Sequence, residues 1–156
     1  MLPKYQKVLV TTDLSPLGNA AVPHAYAIVA EQGGTVILWC AVDVTGMPDP
    51  LYSQPTPGET LAQERAEIRE NLFSSLEALV PEEARHGGAV TTEVRVIETP
   101  LLVHEAICQE AAEMNVDLIV MASHGHSGMA RLFTGSVAEH VLRSANRPVL
   151  IIRNRR

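Results

Sequence analysis

Glycine and small polar residues concentrate in residues 122–136, directly after an apolar, strand-like run. Gly125 and Gly128 have no Cβ atom, so their backbone amides can approach an anion closely and adopt a positive φ. The Gly135-Ser136 pair stands before a helical pattern, where free N–H groups and the helix dipole favour negative charge. The segment therefore predicts a cradle for a phosphate group, the alternative being a glycine loop that only turns the chain. Arg131 can add a countercharge to the cradle or can be a surface residue.

A second polar cluster, residues 11–15, follows the first apolar run of the chain. At the end of a buried strand, the carboxylate of Asp13 can accept a hydrogen bond from an adenine amino group or a ribose hydroxyl. It can equally serve as a turn or capping residue for the helix that follows. The residues alone leave both roles open.

Apolar β-rich runs alternate with helical patterns, and this alternation predicts the elements that position the two clusters. The predicted strands span residues 7–13, 35–43, 91–97, 117–122 and 148–152. The predicted helices span residues 16–32, 59–79 and 136–144, and a further helix opens at Pro100. Ser15 is the expected N-cap of the first helix, and Pro23 is expected to kink that helix or delay its start. Residues 44–58 contain four prolines, which predicts a mobile connection or a functional flap.

Two of these helices have a predicted apolar face. The faces consist of Leu61, Ile68, Leu72, Leu76 and Leu79 in the second helix, and of Val103, Ala106, Ile107, Ala111 and Met114 in the third. His104 is expected at the surface or at the border of the core, because no metal ligand is spaced beside it.

The alternation of strands and helices predicts an α/β fold, in which an open, doubly wound parallel sheet is covered by helices on both faces. We expect one domain spanning residues 1–156. Open parallel sheets bind ligands beyond the carboxyl ends of their strands, where the strand order reverses. Both polar clusters follow predicted strands, so this rule places them at one candidate site.

The composition limits the class of protein. A formal net charge of −6 makes non-specific nucleic-acid binding a poor expectation, because that binding needs many cationic phosphate contacts. Apolar runs fall short of the roughly 18–20 residues that cross a bilayer, and the N-terminus lacks a signal-peptide pattern. We therefore expect a cytoplasmic protein without a membrane span. Cys40 and Cys108 lie in apolar segments and are expected to be buried structural thiols.

The loop spacing resembles that of the universal stress protein family, whose ATP-binding members carry Gly-x-x-Gly, nine residues, and then Gly-Ser or Gly-Thr. Here residues 122–125 read Ala-Ser-His-Gly, nine residues follow, and Gly135-Ser136 completes the pattern. Ala122 stands where the family has its first glycine. The likeness extends to residues 8–15 and 146–152, so it covers essentially the full chain.

This resemblance implies a Rossmann-like sheet of five strands in the order 3-2-1-4-5, similar to the adenine nucleotide alpha hydrolases. It also implies that Asp13 lies near an adenine, that backbone groups about Ala41 and Val42 hold the base, and that the Gly-rich loop through Val137 holds ribose and phosphates. The expected ligand is ATP or AMP, with Mg²⁺ as an optional companion. The nucleotide-binding residues that we predict are Thr11, Thr12, Asp13, Ala41, Val42, Ala122, Ser123, His124, Gly125, His126, Gly128, Arg131, Gly135, Ser136 and Val137. The resemblance further implies a homodimer that pairs through Val149, Leu150, Ile151 and Ile152.

Three functions remain open. The first is a stress-response regulator that acts by binding nucleotide and hydrolyses it slowly at most, since the sequence contains no Gly-Lys-Ser/Thr. The second is a nucleotide-hydrolysing or nucleotidyl-transferring enzyme that uses His124 and His126 for acid–base chemistry; zinc held by these two residues with His140 is a weaker variant of the same idea. The third is a dimeric scaffold with an empty crevice, for which Ala122 is the main support.

Overall fold

The computed structural model describes residues 1–43, 61–123 and 137–153. Its strands are β1 (Lys7–Thr11), β2 (Gly34–Asp43), β3 (Val90–Thr99), β4 (Leu118–Ser123) and β5 (Val149–Arg153). Its helices are α1 (Pro16–Asn19), α2 (Val22–Ala30), α3 (Leu61–Glu77), α4 (Val103–Glu113) and α5 (Val137–Ser144), with a 3₁₀ turn at Glu82–Ala84. The strands form one five-stranded sheet in the order β3-β2-β1-β4-β5, and every neighbouring pair is parallel. The predicted fold class and strand order are therefore confirmed.

Alternate residues of the strands supply two hydrophobic cores, one on each face of the sheet. Within β1, Val8 and Val10 pack with α2 and α3, whereas Leu9 packs with α4 and α5. The core on the α2 side is completed by Leu76 of α3, and the core on the α4 side contains the fully buried Trp39. Burial on both faces explains why the strands read as continuous apolar runs in the sequence.

The first predicted helix, residues 16–32, is divided into α1 and α2. Pro23 is the second residue of α2, where its missing N–H has no intrahelical partner to lose. Ser15 caps α1 as predicted: its side chain accepts a hydrogen bond from the Gly18 amide at 3.0 Å. The prediction that Pro23 interrupts or delays the helix is confirmed, and the prediction of one continuous helix is wrong.

Helix α4 begins at Val103, three residues later than the predicted opening at Pro100. Side chains bond the intervening amides instead: Thr99 Oγ1 accepts from the Leu101 amide at 3.1 Å, and Glu105 Oε2 accepts from the Leu102 amide at 3.3 Å. The third strand is longer than predicted and spans Val90–Thr99, because it pairs with β2 over that whole length. The first strand ends at Thr11 and not at Asp13.

The predicted apolar face of the second helix is correct at Leu72 and Leu76 of α3 and at Leu79, which lies beyond the end of α3 at Glu77. It is wrong at Ile68, which is 43% exposed. At 100° per residue, position 68 lies about 80° around the helix from position 76, so its side chain falls on the flank of the buried face. Val103, at the start of α4, is likewise exposed rather than buried.

Candidate functional site

The order of the strands reverses between β1 and β4. The chain leaves β1, adds β2 and then β3 on one side, and returns to form β4 on the other side of β1. Val10 pairs with Val120 across this boundary, so the two strands reach the carboxyl edge of the sheet side by side. The Thr12 amide also donates to the Trp39 carbonyl oxygen at 3.1 Å, which ties the exit of β1 to β2. The exits of β1, β2 and β4 are thus neighbours at the place where such sheets bind ligands.

Beyond β1 the backbone turns sharply. Leu14 has φ 64°, in the left-handed region that side chains rarely adopt. The Thr12 hydroxyl, which is buried, accepts a hydrogen bond from the Leu14 amide at 2.9 Å and donates to Asn19 Oδ1 at 2.7 Å. These bonds fix the turn against α1. They thereby determine the position of Asp13, which lies between Thr12 and Leu14 in the chain.

Asp13 is exposed at the carboxyl edge, and its carboxylate lies over the first turn of α1. Asp13 Oδ1 accepts hydrogen bonds from the Ser15 amide at 3.0 Å and from the Ser15 hydroxyl at 2.5 Å. The turn interaction that the sequence left open is therefore present in the structure. It leaves the carboxylate at the same edge as the exits of β2 and β4.

Gly18 belongs to this group, although the sequence analysis did not select it. A Cβ atom at position 18 would collide with Asp13 Oδ1 and would lie 3.0 Å from Thr12 Oγ1. The signal in the sequence was a glycine within a helical segment, which costs helix propensity and so calls for a packing reason. Asn19, which accepts the Thr12 hydroxyl bond, was also missed.

The ends of β2 and β4 supply the remaining described residues of the predicted site. Ala41 and Val42 are half-buried and pack toward opposite faces of the sheet. The methyl group of Ala122 is 9% exposed and packs in the core on the α2 side. Ser123 is half-buried and pairs in register with Arg153 of β5, whose side chain is exposed.

The structure brings Thr11, Thr12, Asp13, Ala41, Val42, Ala122 and Ser123 to the carboxyl ends of three adjacent strands. Val137, the first residue of α5, is exposed. The predicted residues His124, Gly125, His126, Gly128, Arg131, Gly135 and Ser136 lie outside the described residues, as does the segment 44–58.

The metal and thiol expectations concern His104 of α4, His140 of α5 and the two cysteines. The half-buried His104 ring stacks on His140, with centroids 4.6 Å apart and planes inclined at 26°. Across the described ranges, His, Cys, Asp and Glu side chains form no group of three or more that is suited to a metal ion. Cys40 is buried and Cys108 half-buried; both are free thiols, and burial raises the pKa of each, that of Cys40 to about 11. In the same parts of the chain, no helix has the length and apolar character needed to cross a bilayer.

A doubly wound parallel sheet whose strand order reverses between β1 and β4 defines the class of open α/β proteins. Within that class, a model of the universal stress protein family matches residues 4–153, and the chain belongs to that family. The universal stress protein MJ0577 of Methanocaldococcus jannaschii is 27% identical, over 97% of this chain and 96% of its own length. The universal stress protein MJ0531 of the same organism is 29% identical, over 96% of this chain and 82% of its own length. A solved universal stress protein in complex with cAMP is 26% identical, with a TM-score of 0.63 over 97% of this chain and 99% of that one.

Proposed function

We propose that this protein binds an adenine nucleotide at the carboxyl ends of β1, β2 and β4 and acts as a cytoplasmic stress-response regulator through the bound state. The observation that carries the proposal is the exposed Asp13 carboxylate at the reversal point of the sheet, beside the exits of β2 and β4. The solved relative that holds cAMP supports an adenine nucleotide as the ligand class.

In this proposal the Asp13 carboxylate accepts a hydrogen bond from the adenine amino group, and backbone groups of Ala41 and Val42 hold the base. The loop from Ala122 to Val137 holds ribose and phosphates. Its backbone amides at Gly125 and Gly135 and the Ser136 hydroxyl bind the anion, and Arg131 offsets its charge. The Ala122 methyl group packs into the core on the α2 side. The alanine that replaces the family glycine therefore presents its backbone, and not its side chain, to the crevice.

Binding rather than turnover fits the distribution of charge. The chain has two lysines: Lys4 precedes β1, and Lys7 is its first residue. Both therefore lie toward the amino ends of the strands, whereas the proposed site is at the carboxyl ends. Phosphoryl transfer needs cations positioned on the transferred group, and Arg131 alone supplies little of that charge. We therefore assign ATP or AMP as the ligand, hydrolysis that is slow at most, and Mg²⁺ as a companion of the phosphates when ATP is bound.

Isothermal titration with ATP and with AMP tests the site. Asp13→Ala is expected to weaken binding roughly tenfold to a hundredfold, because a hydrogen bond to a charged acceptor is lost. Gly135→Val is expected to abolish binding, because its side chain blocks the amides. Gly88→Ala is the matched control, since a Cβ there would have only Glu83 O near it, at 4.0 Å. Wild-type affinity in both site variants would refute the assigned site.

A turnover assay separates the regulator from the enzyme that was left open. We expect no more than slow ATP hydrolysis at saturating nucleotide, in wild type and in His124→Ala and His126→Ala. Rapid multiple turnover that disappears in these two variants would replace the regulator with an enzyme.

A further inference from the structure

We propose that Ser15 and Gly18 are positioning residues that set the orientation of the Asp13 carboxylate and thereby the selectivity of the site for a purine that carries an amino group. This inference rests on the proposed nucleotide site. It adds two residues, neither of which needs to touch the ligand.

Ser15 holds one oxygen of the carboxylate from two directions. Its amide and its hydroxyl both donate to Asp13 Oδ1, at 3.0 and 2.5 Å. The same hydroxyl accepts from the Gly18 amide at 3.0 Å, so it cannot rotate away without uncapping α1. Two donors on one oxygen fix the plane of the carboxylate, and hydrogen bonds to an ionised group are the stronger kind.

Gly18 provides the space that this orientation needs. A Cβ at position 18 would overlap Asp13 Oδ1 and press on Thr12 Oγ1, at 3.0 Å, and on the Asp13 amide, at 3.2 Å. The backbone here is held by the Thr12 hydroxyl and its two hydrogen bonds, so the carboxylate is the group that must move. Alanine at position 18 would therefore turn Asp13 away from Ser15 while α1 gains a better helix-forming residue.

Selectivity between AMP and IMP reports this orientation directly. The two ligands share ribose and phosphate. They differ at position 6 of the purine, where AMP has an amino donor and IMP a carbonyl acceptor, and at N1, which is an acceptor in AMP and carries a hydrogen in IMP. A carboxylate aimed at the substituent on C6 favours AMP and repels IMP. A change in the stability of α1 would shift both affinities alike and would leave their ratio unchanged.

The experiment measures Kd for AMP and for IMP by isothermal titration in six proteins: wild type, Asp13→Ala, Ser15→Ala, Ser15→Thr, Gly18→Ala and Gly88→Ala. We expect wild type, Ser15→Thr and Gly88→Ala to prefer AMP equally, because threonine keeps the hydroxyl and position 88 has open space. We expect Ser15→Ala and Gly18→Ala to bind AMP about tenfold more weakly, with the AMP-to-IMP preference reduced by a similar factor. Circular dichroism of each variant verifies that it is folded; if Gly18→Ala unfolds, the comparison of Ser15→Ala with Ser15→Thr decides alone.

The outcomes separate this inference from the proposed function. If wild type prefers AMP and Asp13→Ala loses that preference, while Ser15→Ala and Gly18→Ala keep it, the nucleotide site stands and the positioning role is overturned. Loss of affinity for both ligands in equal proportion also overturns the positioning role. If wild type binds neither ligand, the proposed function fails and this inference fails with it.

Discussion

Asp13 has a role in the fold in addition to the role that we propose for it in ligand binding. The sequence left its role open between a turn interaction and a nucleotide contact, and the structure contains the turn interaction, through Ser15. An ionised carboxylate has about four acceptor positions, so its two hydrogen bonds from Ser15 are compatible with a further role as an acceptor. Sequence reasoning selected Asp13 and passed over Gly18, because a close approach between a side chain and a helix cannot be read from spacing.

Cys40 yields a pH prediction at the scale of one residue. Burial raises the pKa of its thiol from 9.0 to about 11, so the folded chain keeps this proton at a pH where the unfolded chain has lost it. The contribution of the buried Cys40 thiol to the free energy of unfolding is therefore complete below about pH 9 and falls as the pH rises through about 11. Urea unfolding across this range should show the free energy of unfolding declining more steeply in wild type than in Cys40→Ala. Equal slopes in the two proteins would contradict the prediction.

Among the elements, strands and turns were predictable to different degrees. The strands carry apolar runs because both faces of the sheet are buried, so all five were located within a few residues. The start of α4 was missed because it depends on hydrogen bonds to the Leu101 and Leu102 amides from the side chains of Thr99 and Glu105. The division between α1 and α2 was anticipated at Pro23, since proline acts through local covalent geometry.

The turn into β2 gives a prediction at the scale of one element. Gly34 has φ 147°, and a Cβ there would collide with the Gln6 carbonyl oxygen, which accepts from the Thr35 amide at 2.7 Å. Gly34→Ala should therefore lower the free energy of unfolding by at least about 2 kcal/mol, through backbone strain and a disturbed start of the β1–β2 pairing. Chemical denaturation measures this value.

Gly88→Ala provides the control for that measurement, because a Cβ at position 88 would meet only Glu83 O, at an ordinary contact distance of 4.0 Å. Its effect should stay within about 0.5 kcal/mol. Equal stability of the two variants would show that Gly34 is not constrained as the structure indicates.

For the whole molecule, the sheet order leaves β5 at one edge and β3 at the other. We predict a homodimer that pairs through β5, because an apolar edge strand is otherwise prone to aggregate. Leu150, which is 37% exposed on this strand, should be essential to the contact, so Leu150→Glu is expected to give a monomer by light scattering after size-exclusion chromatography.

Ile68→Glu is the matched control for the assembly, because Ile68 is 43% exposed on α3, which packs against β3 at the far edge. This variant should remain dimeric. A monomeric wild type, or dissociation by Ile68→Glu but not by Leu150→Glu, would contradict pairing through β5.

The sequence was most informative about the fold and family of the whole molecule. The alternation of strands and helices predicted the class of fold, and the spacing from Ala122 to Gly135-Ser136 indicated the family. Neither could reveal that Gly18 lies against the Asp13 carboxylate or that Thr12 bonds to Asn19, because those contacts arise only when α1 folds back on the exit of β1.

We propose that an adenine nucleotide binds at the reversal point of the sheet. Native mass spectrometry of the purified chain, with and without added ATP or AMP, tests this binding. We predict a mass increase of one nucleotide per chain that is retained in Gly88→Ala and lost in Gly135→Val. A wild-type chain that gains no nucleotide mass at millimolar ligand would contradict the claim.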